Sequence, residues 1–568
     1  MTHKRNPTSP NLFILTTGFD GCPLSGRPSD TRSYRFAILT VAVVLLTALT
    51  VRSMSQQWSP LPYNIDGLSE LKVTQTILSS HHLDFPPSSS VSQGYVSDMP
   101  VLGLFVAFSS SALGLDPIVS AQLLASTLGA VAVLIVFLIF RQHWPSSSRG
   151  ALASALSLAL VGSFVFSAGC TWKETMGFVL LGLVLYSFPL RRSPSYRFLM
   201  TSSLLLFVFT HHLITIVGYV IVTFAVALEL FSKSKEHPRI TSNDALDLLT
   251  VGGAWSLAVG YYWSIHLPYL DFLRPDADLY LYIAVAALIL MTAIKMSLRD
   301  RPLSRLPIGL AVPLVGAALM VYNYYHPIFT GIPGPASLIA VPFLAYLILV
   351  VPAWEGARLA LPPRGPTKNL LLAMILGPLS LVIFAFLRSN DATSQLVVYR
   401  VFDFLMPAFA ILVGLGFAFM VKGRPRLGMA AGISLIIICA STLPIAYNTQ
   451  ELFGVENQTY EFEYDAVKWF SENGVGNYSS DQRLGETGNR LFDLGYGMGL
   501  PYYLSEGLAL NGSSFYLLEG EWTTKGAQEF PFGVVVVPQD KVNETLFHAS
   551  VFYVGGPAEN NIVGFRTL

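Results

Sequence analysis

Two acidic residues in the segment YNIDGLSELK have the type and spacing to do chemistry together. Asp66 and Glu70 lie four residues apart, so a helix would place both carboxylates on one face. One carboxylate could then act as a general base toward a hydroxyl group while the other holds it in place. The alternative is a solvated loop helix whose acids have no chemical role. We take both as candidate catalytic residues.

Two short polar segments between apolar runs supply candidate groups for substrate binding. Lys173 and Glu174 stand in the segment GCTWKET, where the ammonium could meet a phosphate and the glutamate could orient it or contact an acceptor. His211 and His212 are adjacent at a turn and could bind a metal or a phosphate, although adjacent helical positions point in different directions. The alternatives are an interfacial snorkelling pair and a polar cap on a helical hairpin.

The segment RSNDATSQLVVYRVFDF contains the best phosphate ligand in the chain. A guanidinium such as that of Arg400 can fork onto two phosphate oxygens, and Asp403 lies one turn later, where it could hold the arginine. The alternative is an interfacial pair that ties down a helix end. None of these candidates requires a metal, and the sequence leaves dependence on a divalent cation open.

The composition identifies the elements that must position these residues. The chain has 568 residues, of which 52% are hydrophobic and 12% are charged. Soluble domains carry about 25% charged residues, so the chain belongs to the membrane class. The formal net charge is zero, which gives no reason to expect a nucleic-acid partner. Three widely separated cysteines make a disulfide framework or a cysteine zinc site a poor interpretation.

Thirteen apolar runs are candidates for membrane spans, since a span needs about 20 mostly apolar residues. A further run at 99–115 is Ser-rich and bounded by acids, which favours an interfacial or re-entrant helix. The predicted spans are 34–52, 118–140, 150–168, 175–190, 198–211, 213–231, 245–266, 279–296, 306–326, 335–354, 369–388, 401–421 and 427–447.

The distribution of basic residues predicts how these spans are oriented. With a cytoplasmic N-terminus, the inner segments hold 23 Lys and Arg residues and the outer loops hold six, as the positive-inside rule requires. We therefore predict a cytoplasmic segment 1–33, a transmembrane region 34–447 with a large outer loop 53–117, and an extracytoplasmic domain 448–568. The protein would lie in the cell membrane.

The C-terminal segment has the pattern of a small α/β domain. It holds 16 Asp and Glu residues against six Lys and Arg residues. Tyr464–Phe470 has the pattern of an amphipathic helix, and the valine-rich runs Val534–Val537 and Val551–Val554 predict buried strands.

Taken together, the chain resembles the GT-C membrane glycosyltransferases. The resemblance is carried by thirteen spans, an acidic pair in a long first outer loop, a Lys-Glu turn, a His turn and a C-terminal outer domain. This superfamily includes the dolichyl-phosphate-mannose protein mannosyltransferases, the lipid A aminoarabinose transferases and the catalytic subunits of oligosaccharyltransferase. The chain looks most similar to the archaeal dolichol-phosphate-sugar transferases of surface-glycoprotein N-glycosylation.

The resemblance implies roles for the candidate residues. Family members take a sugar from a polyprenyl-phosphate carrier on the outer face and use a first-loop acid to activate the acceptor. That role would fall on Asp66, with Glu70 as its partner. The donor phosphate would be held by Lys173 and Arg400, with His212 as a further candidate.

Two departures from the family pattern qualify these roles. The oligosaccharyltransferase signature WWDYG is absent, and Trp469 and Trp522 stand alone, which argues against transfer of a whole oligosaccharide. The first loop also lacks the Asp-Asp or Asp-Glu dipeptide of many mannosyltransferases, which leaves the exact base open.

The sequence thus predicts a glycosyltransferase that moves one sugar, mannose or another hexose, from a dolichyl or polyprenyl phosphate. The acceptor would be a glycan or glycoprotein on the outer face, in surface-layer protein glycosylation. Two other functions remain open. One is a flippase or transporter for a lipid-linked sugar, and the other is a non-catalytic subunit of a surface-polymer assembly machine.

Overall fold

The structure is a computed structural model of the chain. It describes residues 31–83, 97–234, 239–267, 275–298, 307–326, 340–361, 365–389, 392–448, 456–497, 499–510, 514–529 and 533–567. The chain divides after Ala42 into two units. The second unit, Val43–Leu568, contains all the described helices and strands except the first half of the first helix.

Helices form most of the chain before residue 448. In chain order they are α1 (Thr31–Arg52), α2 (Asp66–Ser80), α3 (Val101–Leu113), α4 (Pro117–His143), α5 (Ser148–Leu160), α6 (Gly162–Ser167), α7 (Lys173–Ser187), α8 (Pro194–Thr210), α9 (His212–Ser234), α10 (Ser242–Ser264), α11 (Pro275–Ser297), α12 (Pro307–Tyr325), α13 (Ala340–Ala360), α14 (Pro366–Arg388), α15 (Ala392–Asp403), α16 (Met406–Met420), α17 (Pro425–Ala440) and α18 (Pro444–Tyr447).

The protein is a helical multi-pass membrane protein. Within the described ranges, seven stretches are long and apolar enough to cross a membrane, in α4, α7, α9, α11, α13, α14 and Arg426–Tyr447. The bent pair Val397–Asp403 and Met406–Met420 makes an eighth if it is one span. Other predicted spans, such as 198–211 and 245–266, lie in helices outside this set, so the number thirteen stays a prediction. The 99–115 run contains the 13-residue helix α3.

The predicted span 150–168 is broken between α5 and α6 at Val161. The break follows from a close approach of the chain segments. The backbone N–H of Gly162 donates to the Thr442 hydroxyl at 2.7 Å. A Cβ at position 162 would lie only 1.9 Å from the Thr442 carbonyl oxygen, so only glycine fits. The chain then leads through α6 to the start of α7, where Lys173 and Glu174 lie.

The C-terminal domain contains a mixed five-stranded sheet flanked by helices. Its elements are α19 (Glu461–Glu472), β1 (Asn477–Ser479), α20 (Gln482–Phe492), β2 (Gly495–Gly497), α21 (Leu500–Ser505), β3 (Phe515–Glu519), β4 (Ala527–Glu529), β5 (Gly533–Val535), α22 (Gln539–Phe547), β6 (Ala549–Gly555) and β7 (Ile562–Thr567). The sheet order is β2-β1-β3-β7-β6, with β1 parallel to β2 and β3, and β7 antiparallel to β3 and β6. Phe470, Leu517 and Phe565 are fully buried in the core.

The predicted amphipathic helix lies within α19, but the two valine-rich runs are not the buried strands that the sequence predicted. Val551 and Val554 are 45% and 64% exposed, because β6 is the edge strand of the sheet. In the other run β5 ends at Val535, Val536 is exposed and Val537 alone is fully buried. The interior strands β3 and β7 contain few valines: β3 has the sequence FYLLE and β7 has the sequence IVGFRT.

The C-terminal domain packs onto α2. Leu68 and Leu71 of α2 form a small buried cluster with Leu491 of α20. Beside this cluster, Lys72 Nζ donates to Asp493 Oδ2 at 2.8 Å and to the Leu491 carbonyl oxygen at 3.0 Å. This contact fixes the position of α2, which begins at Asp66.

Candidate active site

Asp66 is the first residue of α2 and lies between two arginines. Its Oδ2 is 3.2 Å from Arg400 Nη2, and its Oδ1 is 2.9 Å from Arg490 Nη1. The side chain of Asn64 accepts the Asp66 backbone N–H at 2.8 Å and so helps to close the first helical turn. The Asp66 side chain keeps 35% of its surface exposed. Glu70 and Glu174 are 3% and 6% exposed, so Asp66 is the carboxylate of these three that a dissolved molecule can reach.

Arg400, near the end of α15, joins two carboxylates from different parts of the chain. One terminal nitrogen contacts Asp66, and the other hydrogen-bonds Glu174 on the first turn of α7. The guanidinium carbon lies 5.1 Å from the ring centre of Trp172, within the range of a cation–π contact. The arginine is thus held from three sides at the point where α2, α7 and α15 meet.

A second ion pair joins Glu70, one turn after Asp66 on α2, to Lys173 at the start of α7. Lys173 Nζ is 3.6 Å from Glu70 Oε1, and these side chains are 7% and 3% exposed. Glu70 Oε2 is buried and has no hydrogen-bond partner among the described residues. A buried carboxylate oxygen that lacks a donor is costly, which favours a protonated carboxyl or a group supplied by a substrate.

The two histidines lie at the junction of α8 and α9. His211 Nε2 is 3.7 Å from Glu174 Oε1, and the rings of His211 and His212 are 4.4 Å apart. His211 Nδ1 is buried without a hydrogen-bond partner in the described part of the chain. The histidine turn therefore lies beside the same Glu174 oxygen that contacts Arg400.

Asp403 ends α15 and makes a different contact. Its carboxylate hydrogen-bonds the Ser167 hydroxyl at the end of α6. Trp172 Nε1 donates to the Ser167 carbonyl oxygen at 2.5 Å. Asp403 thus supports the segment that carries Trp172. The carboxylates that form ion pairs with Arg400 are those of Asp66 and Glu174.

The two carboxyls of α2 have opposite electrostatic environments. Burial alone would raise the pKa of Asp66, but the charges of Arg490 and Arg400 outweigh it and lower this pKa to about 2. Burial raises the pKa of Glu70 to about 7, although Lys173 opposes the change. At neutral pH Asp66 is therefore ionised, and Glu70 is close to its titration midpoint.

The structure brings the candidates from four sequence segments into one connected group of charged and polar side chains. We call it the rim cluster, and it consists of Asp66, Glu70, Trp172, Lys173, Glu174, His211, His212, Arg400, Asp403 and Arg490. Sequence reasoning missed Arg490 because it lies 424 residues from Asp66 in the chain. Trp172 stands in GCTWKET, but no sequence pattern links it to Arg400. In the described ranges, no three His, Cys, Asp or Glu side chains converge as a metal-binding group.

Comparison with known proteins gives a match to solved structures. The archaeal oligosaccharyltransferase AglB from Archaeoglobus fulgidus, solved with an inhibitory peptide and a dolichol-phosphate, matches with a TM-score of 0.51 and 14% identity. The match covers 87% of this chain and 70% of AglB. The chain shares its fold with this oligosaccharyltransferase.

Two further structures match with lower scores. ArnT from Cupriavidus metallidurans, bound to undecaprenyl phosphate, has a TM-score of 0.38 and 11% identity over 94% of this chain and 98% of ArnT. The arabinofuranosyltransferase AftD from Mycobacteria has a TM-score of 0.44 and 13% identity over 94% of this chain and 40% of AftD. No protein-family model and no curated protein matches the sequence.

The two tryptophans that stand alone in the C-terminal sequence both pack within that domain. Trp522 is 1% exposed and belongs to the core of that domain. Trp469 stacks on Phe552 and packs against Tyr553. Both tryptophans are therefore packing residues of the sheet domain.

Proposed function

We propose that this protein is a membrane glycosyltransferase that moves a single sugar from a polyprenyl-phosphate carrier to an acceptor hydroxyl. The observation that carries the proposal is the position of Arg400, which contacts Asp66 and Glu174 at once. An anion-binding guanidinium and a partly exposed carboxylate are thus neighbours where the loop helix α2 meets α7 and α15. A reaction between a lipid phosphate and a water-soluble acceptor needs this arrangement.

The reaction follows from the chemistry of a sugar phosphodiester. The acceptor oxygen attacks the anomeric carbon, the bond from that carbon to the phosphate oxygen breaks, and the polyprenyl phosphate leaves with the electron pair. The acceptor proton passes to the Asp66 carboxylate. Arg400 and Lys173 neutralise the charge on the departing phosphate, which makes it a better leaving group.

Donor binding and base activation are linked in this scheme. Arg400 lowers the pKa of Asp66, so in the free protein the carboxylate is a weak base. A donor phosphate that takes over part of the Arg400 guanidinium weakens this effect. The Asp66 carboxylate then becomes more basic where the acceptor must lose its proton. Glu70 is 3% exposed and paired with Lys173, which suits a supporting role below the acceptor.

The finer features of the proposal come from the sequence. The donor is a dolichyl or polyprenyl phosphate carrying mannose or another hexose, and the acceptor is a glycan or glycoprotein of a surface layer. The transmembrane region has thirteen spans, with segment 1–33 in the cytoplasm and domain 448–568 outside. The excess of Lys and Arg in the inner loops supports this orientation. The dolichol-phosphate bound by AglB supports the donor class.

Sugar transfer by the full-length protein in liposomes tests the proposal. With a polyprenyl-phosphate hexose and a glycan acceptor, Asp66→Asn and Arg400→Ala should each lower transfer by about a hundredfold or more. Asp116→Asn is the matched control, because Asp116 caps α4 through the Ile118 N–H at 2.8 Å and asparagine also caps helices. Full activity in both site variants contradicts the site. A wild-type protein that moves the lipid across the bilayer without transferring sugar is a flippase.

A further inference from the structure

A cation of the C-terminal domain reaches the first turn of α2. Arg490 Nη1 lies 2.9 Å from Asp66 Oδ1, 3.2 Å from the Ser69 hydroxyl and 3.3 Å from the Ile65 carbonyl oxygen. These three atoms belong to the start of α2, and the Asp66 oxygen among them is not the one that contacts Arg400. The candidate base is therefore held by one arginine from the membrane helices and by one from the outer domain.

Arg490 is itself fixed by a short chain of contacts within its own domain. Its Nε donates to Glu486 Oε2 at 2.7 Å, one turn earlier on α20. The Tyr496 hydroxyl of β2 donates to the other oxygen of Glu486, also at 2.7 Å. The central sheet thus orients Glu486, Glu486 orients Arg490, and Arg490 orients Asp66.

We propose that Arg490 is a positioning residue through which the C-terminal domain holds the Asp66 carboxylate in the orientation and charge state that transfer requires. This inference rests on the proposed function. It assigns to the C-terminal domain a part in completing the active site, beyond covering it. Arg490 acts on the acceptor through Asp66 and touches neither phosphate nor sugar.

Attachment of the domain does not by itself explain Arg490. Lys72 already ties α2 to α20 through Asp493 and the Leu491 carbonyl oxygen. Lys72 and Arg490 belong to the same interface, but only Arg490 contacts Asp66. This pair of residues separates an effect on the carboxylate from an effect on domain docking.

Removing Arg490 should change how the reaction depends on pH. Asp66 interacts electrostatically with five charged or titratable groups: Arg490, Arg400, Glu70, Cys170 and His211. Glu486 forms an ion pair with Arg490. A carboxyl whose pKa is lowered by cations stays ionised until the pH falls below that pKa. Loss of one cation raises the pKa, so the acid limb of the activity profile moves to higher pH.

The test compares Arg490→Gln, Arg490→Lys and Lys72→Gln in full-length protein in liposomes. Arg490→Gln should lower kcat by about tenfold and move the acid limb upward by about one pH unit, with donor KM unchanged. Arg490→Lys should restore the acid limb, because the charge returns. Lys72→Gln should keep the wild-type acid limb.

Two results overturn the inference: an Arg490→Gln protein with the wild-type kcat and acid limb, or a Lys72→Gln protein with the same displaced limb. If Arg490→Gln does not fold, Tyr496→Phe replaces it, since loss of the hydroxyl frees Glu486 and should displace the limb in the same direction. An unchanged limb in Tyr496→Phe then overturns the inference. A wild-type protein without transfer activity refutes the proposed function as well, so the two failures are distinguishable.

Discussion

Lys173 Nζ lies 3.6 Å from Glu70 Oε1, and both side chains are almost fully buried. The pair couples a cation that faces the proposed donor phosphate to a carboxyl whose pKa is raised by burial to about 7. Above this pKa the pair is neutral, and below it the pair carries one positive charge. The charge offered to an anionic donor therefore depends on pH.

We expect the KM for a polyprenyl-phosphate sugar to fall by about threefold or more as the pH is lowered from about 8 to about 6. Protonation of Glu70 removes one negative charge beside Lys173, so the ammonium attracts the phosphate more strongly. Initial rates at several donor concentrations and pH values measure this. In Glu70→Gln the neutral amide should give a donor KM that does not change over this range. A pH dependence that persists in this variant contradicts the role of Glu70.

Replacement of Arg400 by lysine should lower kcat/KM by at least about tenfold, although the charge is kept. A lysine ammonium cannot hold Glu174 and Asp66 with two separate nitrogens, and it loses the planar contact with Trp172. The control is Arg388→Lys at the end of α14, where Arg388 Nε donates to Asp278 at 2.9 Å. Its kcat/KM should stay within about twofold of wild type. Equal effects of the two substitutions would mean that Arg400 has only a structural role.

Gly67→Ala should reduce kcat strongly, by about tenfold or more, while the protein still folds. A Cβ at position 67 would lie 2.7 Å from the Thr171 carbonyl oxygen and 2.7 Å from Pro62 Cβ, so α2 must shift and Asp66 moves with it. A displaced base is a common cause of large rate losses. Gly252→Ala is the matched control, since a Cβ there meets nothing within 4 Å. Normal kcat in Gly67→Ala would show that the site tolerates movement of α2.

Asp481→Asn should stabilise the C-terminal domain at pH 8. Burial raises the pKa of Asp481 to about 7, with Arg483 opposing the change and Glu519 adding to it. A carboxyl with a raised pKa contributes stability below its unfolded pKa and loses it as the pH rises to about 7. Asparagine avoids this loss and can keep the cap, in which Asp481 Oδ1 accepts the Leu484 N–H at 2.9 Å.

The gain from Asp481→Asn should be on the order of 1–3 kcal/mol at pH 8 and should vanish below about pH 4. Hydrogen exchange of the α20 amides in the full-length protein reports this stability locally. The control is Asp540→Asn in the first turn of α22, where the aspartate is exposed. A gain that is the same at pH 4 and pH 8 would show that the charge of Asp481 is not its cause.

The sequence by itself determined the class of the protein and the residue types of the site. Low charge and long apolar runs predict many membrane helices, because a bilayer excludes charged side chains from a span. The same exclusion makes Lys173, Glu174, Arg400 and Asp403 visible, since polar residues at span ends stand out against an apolar background. The four-residue spacing of Asp66 and Glu70 would place both carboxylates on one face of a helix, and the structure has a helix there, α2.

Only the tertiary structure decided how these residues meet. Asp66 and Glu70 look equivalent in sequence, yet one lies between two arginines and keeps 35% exposure, and the other is buried against Lys173. Arg490 contacts Asp66 across 424 residues, a distance at which local patterns carry no information. Val551 and Val554 are likewise exposed because tertiary packing put β6 at the edge of the sheet, which their local sequence does not reveal. Burial, pairing and pKa are set by which segments pack together, and that choice depends on the whole chain at once.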